Sequence, residues 1–243
     1  MFRRAAVLGA SCTLLLLTAC GNGSDSDHGD GGEGWKPPVG TAQAEQVARR
    51  TALTPQQWGK DFQRRNGNYE YDLSEISMGR PDEDCRWQQD PDPSTDLVGW
   101  VRNVEAPGSG PSGSIISEAD SMVLVHERQS TARLQLPDMR AALDQCRTWY
   151  YGDALRYDDI HMDNAGIDGV DEILAWSATS SQTAQGQKAP RGPWPVSEIM
   201  ARKGPVVLHA RITADPDAYS AQALRIRAAR AMQTMVAHLT GEE

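Results

Sequence analysis

Hydrophobic positions along the chain follow two periods, and the places where one gives way to the other mark out the elements. Within 41–53, Ala44, Val47, Ala48 and Ala52 fall on roughly one side of a 3.6-residue period, which predicts a helix. Thr54-Pro55 has the form of an N-cap with proline at the first helical position, opening a short helix through Trp58 to Phe62. Met139, Ala142, Leu143, Cys146 and Trp149 predict a helix over 130–150, kinked or restarted at Leu136-Pro137-Asp138, with Cys146 on its buried stripe. Leu224, Ala228, Ala231, Met232, Met235 and Leu239 form the core face of a long last helix, capped by Asp215-Pro216-Asp217 and ended by Gly241. Alternation takes over in 69–78, 97–104, 121–127, 155–162 and 172–179, each of which predicts a strand. Residues 197–202 and 206–213 read as a hairpin turning at Lys203-Gly204. Asp90-Pro91-Asp92-Pro93, the Gly/Ser/Pro run 108–113 and the polar stretch 180–195 read as loops. Strands that follow one another without alternating helices predict an α+β domain, an antiparallel sheet with helices packed on one face.

The amino terminus follows a different logic. Met1-Phe2-Arg3-Arg4 is basic, and residues 5–17 are almost all apolar or small. That run is shorter than the roughly 20 residues a spanning helix needs, and with its charged front it matches a secretory signal. Its end, Leu17-Thr18-Ala19-Cys20, resembles the lipobox of bacterial lipoproteins. The resemblance implies that residues 1–19 are a lipoprotein signal peptide and that Cys20, as first mature residue, carries a diacylglyceryl thioether and palmitate-type chains. Two acyl chains suffice for stable attachment where one is marginal. The expected location is the outer face of the cytoplasmic membrane, lipid-anchored through Cys20. Residues 20–40, rich in Gly, Ser and Asp, bury too little apolar surface to order themselves and read as a flexible tether, stiffened at Trp35-Lys36-Pro37-Pro38. Residues 41–243 are then a single extracellular domain.

Charge and cysteine count narrow the partners. The formal charge of −9 becomes more negative once Arg3 and Arg4 leave, which argues against nucleic acid, whose binding is dominated by phosphate neutralisation. Of the four cysteines, Cys12 departs with the leader and Cys20 takes lipid. Cys85 and Cys146 remain, and in an exported chain they are expected to pair as a disulfide. No CxxC spacing points to a metal or redox site.

Catalytic motifs are missing where they would be sought. Gly108-Ser109-Gly110-Pro111-Ser112-Gly113 has the wrong register for a nucleophile elbow, no Ser-x-x-Lys occurs, and His126-Glu127 lacks the second histidine of a zinc peptidase helix. Asp158, Asp159, Asp163, Asp168, Asp171 and Glu172 cluster, but a calcium loop counted from Asp163 meets Ala165 and Ile167 where oxygen ligands belong, so a solvated acidic turn is expected. His126, His161, His209 and His238 are spread out and read as strand or surface residues. Arg225, Arg227 and Arg230 read as a solvated helix face, or else a patch for an anionic ligand or partner. Trp87, Trp100, Trp149 and Trp176 are expected in the core, and Trp194, in its Pro-rich loop, could line a cleft. No catalytic residue, metal or cofactor is expected.

Four stretches together carry a family resemblance: Leu53-Thr54-Pro55-Gln56-Gln57-Trp58; Val123-Leu124-Val125 with a helix ending Leu143-Asp144-Gln145-Cys146; Gly169-Val170-Asp171-Glu172-Ile173; and Arg202-Lys203-Gly204-Pro205-Val206-Val207. Over most of 44–239 the chain resembles the PknH-type extracellular sensor domain of actinobacterial receptor kinases and stand-alone lipoproteins. The resemblance implies an antiparallel sheet flanked by helices, with a cleft that takes a ligand outside the membrane. The kinase sensor has two disulfides where this chain can make one, and no ligand residues carry over. The expectation is a membrane-anchored, non-enzymatic sensor-like domain binding a small molecule or an envelope protein. The alternative is a secreted hydrolase with an unrecognised active site. A two-lobed solute-binding protein fits less well, because such proteins alternate strands and helices.

Overall fold

Strand alternation gives the protein two buried faces, and the computed structural model shows how they are filled. It describes residues 35–72, 78–88, 96–108, 115–182 and 191–242. The leader, Cys20 and most of the tether lie outside the described residues, as do the Asp90–Pro93 breaker and most of the 108–113 loop. Helix α1 (Thr41–Thr51) and the single turn α2 (Pro55–Trp58) precede the short strands β1 (Gln63–Arg64), β2 (Glu70–Asp72), β3 (Arg80–Pro81) and β4 (Trp87–Gln88). The long hairpin β5 (Asp96–Pro107) and β6 (Ile115–His126) leads to α3 (Gln129–Gln145). Then come β7 (Trp149–Tyr151), β8 (Leu155–Asp163), β9 (Glu172–Gln182), β10 (Arg191–Lys203), β11 (Val206–Ala214) and α4 (Ala221–Thr240).

One nine-stranded sheet runs β1-β5-β6-β11-β10-β9-β8-β7, with β2 beside β1 on the outer edge of β5, and its strand pairs are antiparallel. β3 and β4 form a separate small hairpin. The α+β class and the antiparallel sheet are as expected. The helices, however, divide between two faces. On one face, α1 and α4 bury Ala44, Ala48, Leu224, Ala228, Met232 and Met235 against Val123, Val125, Leu208, Ala210 and Ile212. On the other, α3 buries Ala132, Leu136, Met139 and Leu143 against Leu124, Leu174, Met200 and Val207. Successive residues of β6 and β11 thus serve opposite cores, as a central strand buried on both sides must.

Local chemistry accounts for the boundaries. The α2 turn is closed by a capping box in which Thr54 and Gln57 satisfy each other's backbone, the Thr54 amide donating to Gln57 Oε1 at 2.7 Å. α3 runs through Pro137 without a restart, because Pro137 and Arg133, whose carbonyl loses its helical donor there, both lie on the exposed side. It ends at Gln145, not at Tyr150: Trp149 fits a helical stripe but pairs instead with Tyr157 in the strand β7. α4 starts one turn later than expected, capped by Ser220, which accepts from the Ala223 amide at 3.2 Å. Asp215 caps a preceding turn, accepting from the Asp217 amide. The stretch read as loop 180–195 is strand at both ends, since β9 runs to Gln182 and β10 begins at Arg191; residues 183–190 lie outside the described residues. Gly241 takes the left-handed conformation at φ 77° and closes α4 as read. Trp35 lies over the β10–β11 turn, its ring close to Gly204 and beneath the Lys203 ammonium at 5.7 Å.

Cys85 and Cys146 are disulfide-bonded across 61 residues, joining the β3–β4 hairpin to the end of α3. Replacing both by serine is expected to lower unfolding free energy by about 4 kcal/mol on the chain-entropy estimate, measured by urea denaturation. Unchanged stability would mean that the hairpin is held by its other contacts.

Candidate functional site

The open part of the second face exists because of connectivity. β6 lies inside the sheet, five places from the edge strand β7 that follows it in sequence, so α3 must cross the face between them. It covers the rows around Leu124, Val207 and Met200 and leaves the rows beyond uncovered. There a cleft of about 450 Å³ opens. Its floor is sheet, one rim comprises Arg65, Asn68 and Tyr71, and the opposite wall is built from β7, β8 and the β3–β4 hairpin.

Register explains the floor. Asn103 faces Asp120, Asp120 faces Arg211, Arg211 faces Glu198 and Glu198 faces Trp176, a polar row across five strands. The neighbouring row, two residues along, is Val101, Met122, His209, Met200 and Leu174. Both rows share a face because side chains alternate with period two.

These charges are mostly withdrawn from solvent, with Asp120 at 8% exposure and Glu198 at 5%. Arg211 donates from Nε and Nη2 to Asp120 Oδ1, each at 2.6 Å, and from Nη1 to the Tyr157 hydroxyl at 2.8 Å. His209 Nε2 meets Glu198 Oε2 at 3.0 Å, and its Nδ1 stands 3.8 Å from Asp120 Oδ2. Trp176 stacks on the imidazole at 25° and 6.2 Å between centroids. Burial pulls the Arg211 guanidinium down, but Asp120, Tyr157 and Glu198 outweigh it and hold it well above its usual value. Burial pushes the Tyr157 phenol up to about 12; Glu198 and Asp120 add to the rise and Arg211 opposes it. Tyr71, across the cleft, is also raised, by burial first and then by Asp120.

The wall is aromatic. Trp149 meets Trp87 edge-on at 5.1 Å and Tyr157 edge-on at 5.3 Å, and Trp87 lies 5.8 Å from Tyr151. The hairpin carrying Trp87 turns on Asp82, whose carboxylate accepts from the amides of Asp84 and Arg86 and from Gln88 Nε2. The Arg86 amide, with the other donors, holds Asp82 below its usual range. Gly79 lies flat under Trp87, where a Cβ would come within 2.4 Å of the indole nitrogen and of the Gln88 carbonyl. The Cys85–Cys146 bridge and a Tyr150 amide-to-Cys85 carbonyl bond at 2.9 Å fasten the hairpin to α3 and β7. The indole N–H groups of Trp149 and Trp176, both on the cleft lining, are buried without an acceptor among the described residues.

Several residues singled out in the sequence fall elsewhere. His209 is a strand residue, as read, and sits on the cleft floor between two carboxylates. His126 and His238 are buried, and His238 meets Gln57 at 3.0 Å. Trp100, Trp149 and Trp176 are buried as expected, whereas Trp87 is half-buried in the cleft wall. Trp194, in β10, pairs with Ser180 of β9 and does not line the cleft. The acidic cluster disperses: Asp171 and Glu172 bind Arg202, Asp158 binds Thr148 and Arg156, and Asp163 accepts from Ser177 Oγ. Arg225 approaches Asp163, while Arg227 stacks on Tyr219 and Phe62, so these arginines form no common patch. Among the described residues no three His, Cys, Asp or Glu side chains group as metal ligands, and no helix is long and apolar enough to cross a membrane. The residues missed were Asp120, Glu198 and Arg211. Their signal was alternation: Arg211 lies between Ala210 and Ile212, and Asp120 and Glu198 each have one apolar neighbour on a strand, Ala119 and Ile199.

The fold belongs to a known architecture, an antiparallel sheet with helices on both faces, which a solved extracellular domain shares. The particular likeness is to the extracellular domain of PknH from Mycobacterium tuberculosis, at TM-score 0.55 and 12% identity, covering 83% of this chain and 98% of that one. An uncharacterised protein from Mycobacterium smegmatis, an Rv0999 ortholog, aligns over 84% of this chain and 98% of its own at 12% identity, with a TM-score of 0.42. No protein-family model and no curated protein sequence matches the chain.

The elevated Tyr157 phenol makes an alkaline prediction. Its folded value lies above the usual 10.0, so its stabilising contribution is complete below pH 10 and is lost as pH rises toward about 12. The two-unit shift corresponds to about 3 kcal/mol. Unfolding titrations at pH 8 and pH 11 should show a steeper loss in the wild type than in Tyr157→Phe; parallel losses would mean that the phenol ionises freely.

Proposed function

We propose that the protein is a non-enzymatic, extracytoplasmic, membrane-anchored lipoprotein whose cleft binds a small ligand. One observation carries this reading: a cleft of about 450 Å³, aromatic on its wall and charged on its floor, left uncovered on a face the fold could have filled with apolar side chains. Proteins keep buried charge networks at a cost in desolvation, and a cleft of this size and mixed lining suits a small molecule. Anchoring through Cys20 rests on the lipobox resemblance, and exposure outside the membrane on that and on the likeness in fold.

Converging carboxylates are what the hydrolase alternative requires, and Asp120 and Glu198 do converge. Both are engaged, however, Asp120 by Arg211 and Glu198 by His209. Glycoside hydrolysis needs one carboxyl free to hand a proton to the leaving oxygen and another free to act on carbon or water. The Ser177, Asp163 and His161 group fails differently: Ser177 bonds the carboxylate directly, and the imidazole lies beyond, with no contact to the hydroxyl to act as base. Binding is therefore the better reading.

Native mass spectrometry of the full chain, purified from the envelope of its own cells, tests both halves. The expected result is a mature chain beginning at a lipidated Cys20 and carrying a small molecule that the Trp87→Ala variant loses. An empty cleft in both proteins, with a stable protein partner instead, would replace ligand binding by an interaction role. An unmodified Cys20 would remove the anchor.

A further inference from the structure

Resting on that cleft as a binding site, the geometry points to the class of molecule it takes: an organic cation, an ammonium or amidinium on a ring-sized apolar body. Charge on the open face is unbalanced. Glu105 and Glu118 lie in the row next to Asp120, facing each other across β5 and β6, and point the same way by alternation. With Asp120 and Glu198 they make four carboxylates on this face, against the two guanidiniums Arg65 and Arg211; Asp120, Glu198, Arg65 and Arg211 line the cleft, and Glu105 and Glu118 stand one row outside its lining. Among these groups the surplus of negative charge is Glu105 and Glu118, beside the cleft.

The two cations are already committed. Arg211 directs three donors at Asp120 and Tyr157, and Arg65 stands 3.7 Å from Glu118. An incoming anion would find no free guanidinium on the floor and would face Asp120 and Glu198, with Glu105 and Glu118 one row beyond. Of the two carboxylates that line the cleft, Glu198 is the one that takes no guanidinium hydrogen bond. It is buried, it lines the cleft, and its partner is the imidazole of His209. A second cation placed beside it would gain an ion pair where solvent screens little.

Aromatic lining favours the same class. Trp87, Trp149, Tyr151 and Tyr157 form a continuous wall on the cleft. Ring faces attract cations through their quadrupole, and aromatic sites are the common solution for organic ammonium groups. The apolar body of the ligand would lie on this wall and Met122, with the charged end toward Glu198. The unpaired indole N–H of Trp149 adds a donor for an acceptor atom on that body.

Three flat, soluble probes of nearly equal shape decide the matter: benzamidinium, benzamide and benzoate, each titrated into the full chain and followed by indole fluorescence. Benzamidinium should bind about tenfold more tightly than benzamide, and benzoate weakest of the three. Glu198→Gln, which keeps the shape of the side chain, should erase the preference for the amidinium. Trp87→Ala should weaken all binding. Equal or tighter binding of benzamide or benzoate, lost in Trp87→Ala, would overturn the cationic class and leave the cleft standing as a site. No Trp87-dependent binding by any of the three would overturn the cationic class and count against the cleft reading as well. The wild-type series decides alone if Glu198→Gln fails to fold.

Discussion

A helix has to cross one face of this sheet, because β6, an interior strand, is followed in sequence by β7, at the far edge. That single constraint distributes everything else. α3 is long enough to cover the rows near the β10–β11 turn, where Leu124, Val207 and Met200 take its apolar stripe. Beyond it, the same strands carry Asp120, Arg211 and Glu198. The apolar half of the face has a roof and the polar half has none. The β3–β4 hairpin, fixed to the end of α3 by Cys85–Cys146, extends the wall beside that gap and brings Trp87 to its edge. The disulfide thus links the crossover to the cleft.

The opposite face follows ordinary packing. Ala44, Ala48 and Ala52 let α1 approach β5 and β6 closely, and α4 spreads leucine and methionine over the centre of the sheet. Nothing there is arranged for chemistry. Two buried faces on one set of strands also mean that the sheet cannot shift register by a residue without exchanging a dry core for the charged row.

Much of this was legible in the chain. The α4 core face was read residue by residue, as were Gly241 at its end, the Thr54-Pro55 cap and the pairing of Cys85 with Cys146. These depend on neighbours a few residues apart, or on elimination among four cysteines. The cleft was not legible, since it depends on strand order. In β11, Val206, Leu208, Ala210 and Ile212 alternate with Val207, His209, Arg211 and Thr213, a pattern that fits a strand with one wet side. Only the order β6-β11-β10 shows that β11 is central, so that His209 and Arg211 must face partners instead of water. Glu198 between Ser197 and Ile199, and Asp120 between Ala119 and Ser121, were overlooked for the same reason. Trp149 was misassigned to α3 because a three-residue strand is too short for its period to be seen.

The central claim is that the charged floor serves binding and is not needed to hold the sheet together. The direct measurement is denaturant stability of Arg211→Met alone beside the combined variant Asp120→Leu, Arg211→Met and Tyr157→Phe. The single change leaves buried Asp120 and Tyr157 without their donor and should cost about 3 kcal/mol or more. The combined change removes the whole unit and should return to within about 1 kcal/mol of the wild type, or exceed it. A combined variant as unstable as the single one would contradict the account and make the network a part of the fold's own support.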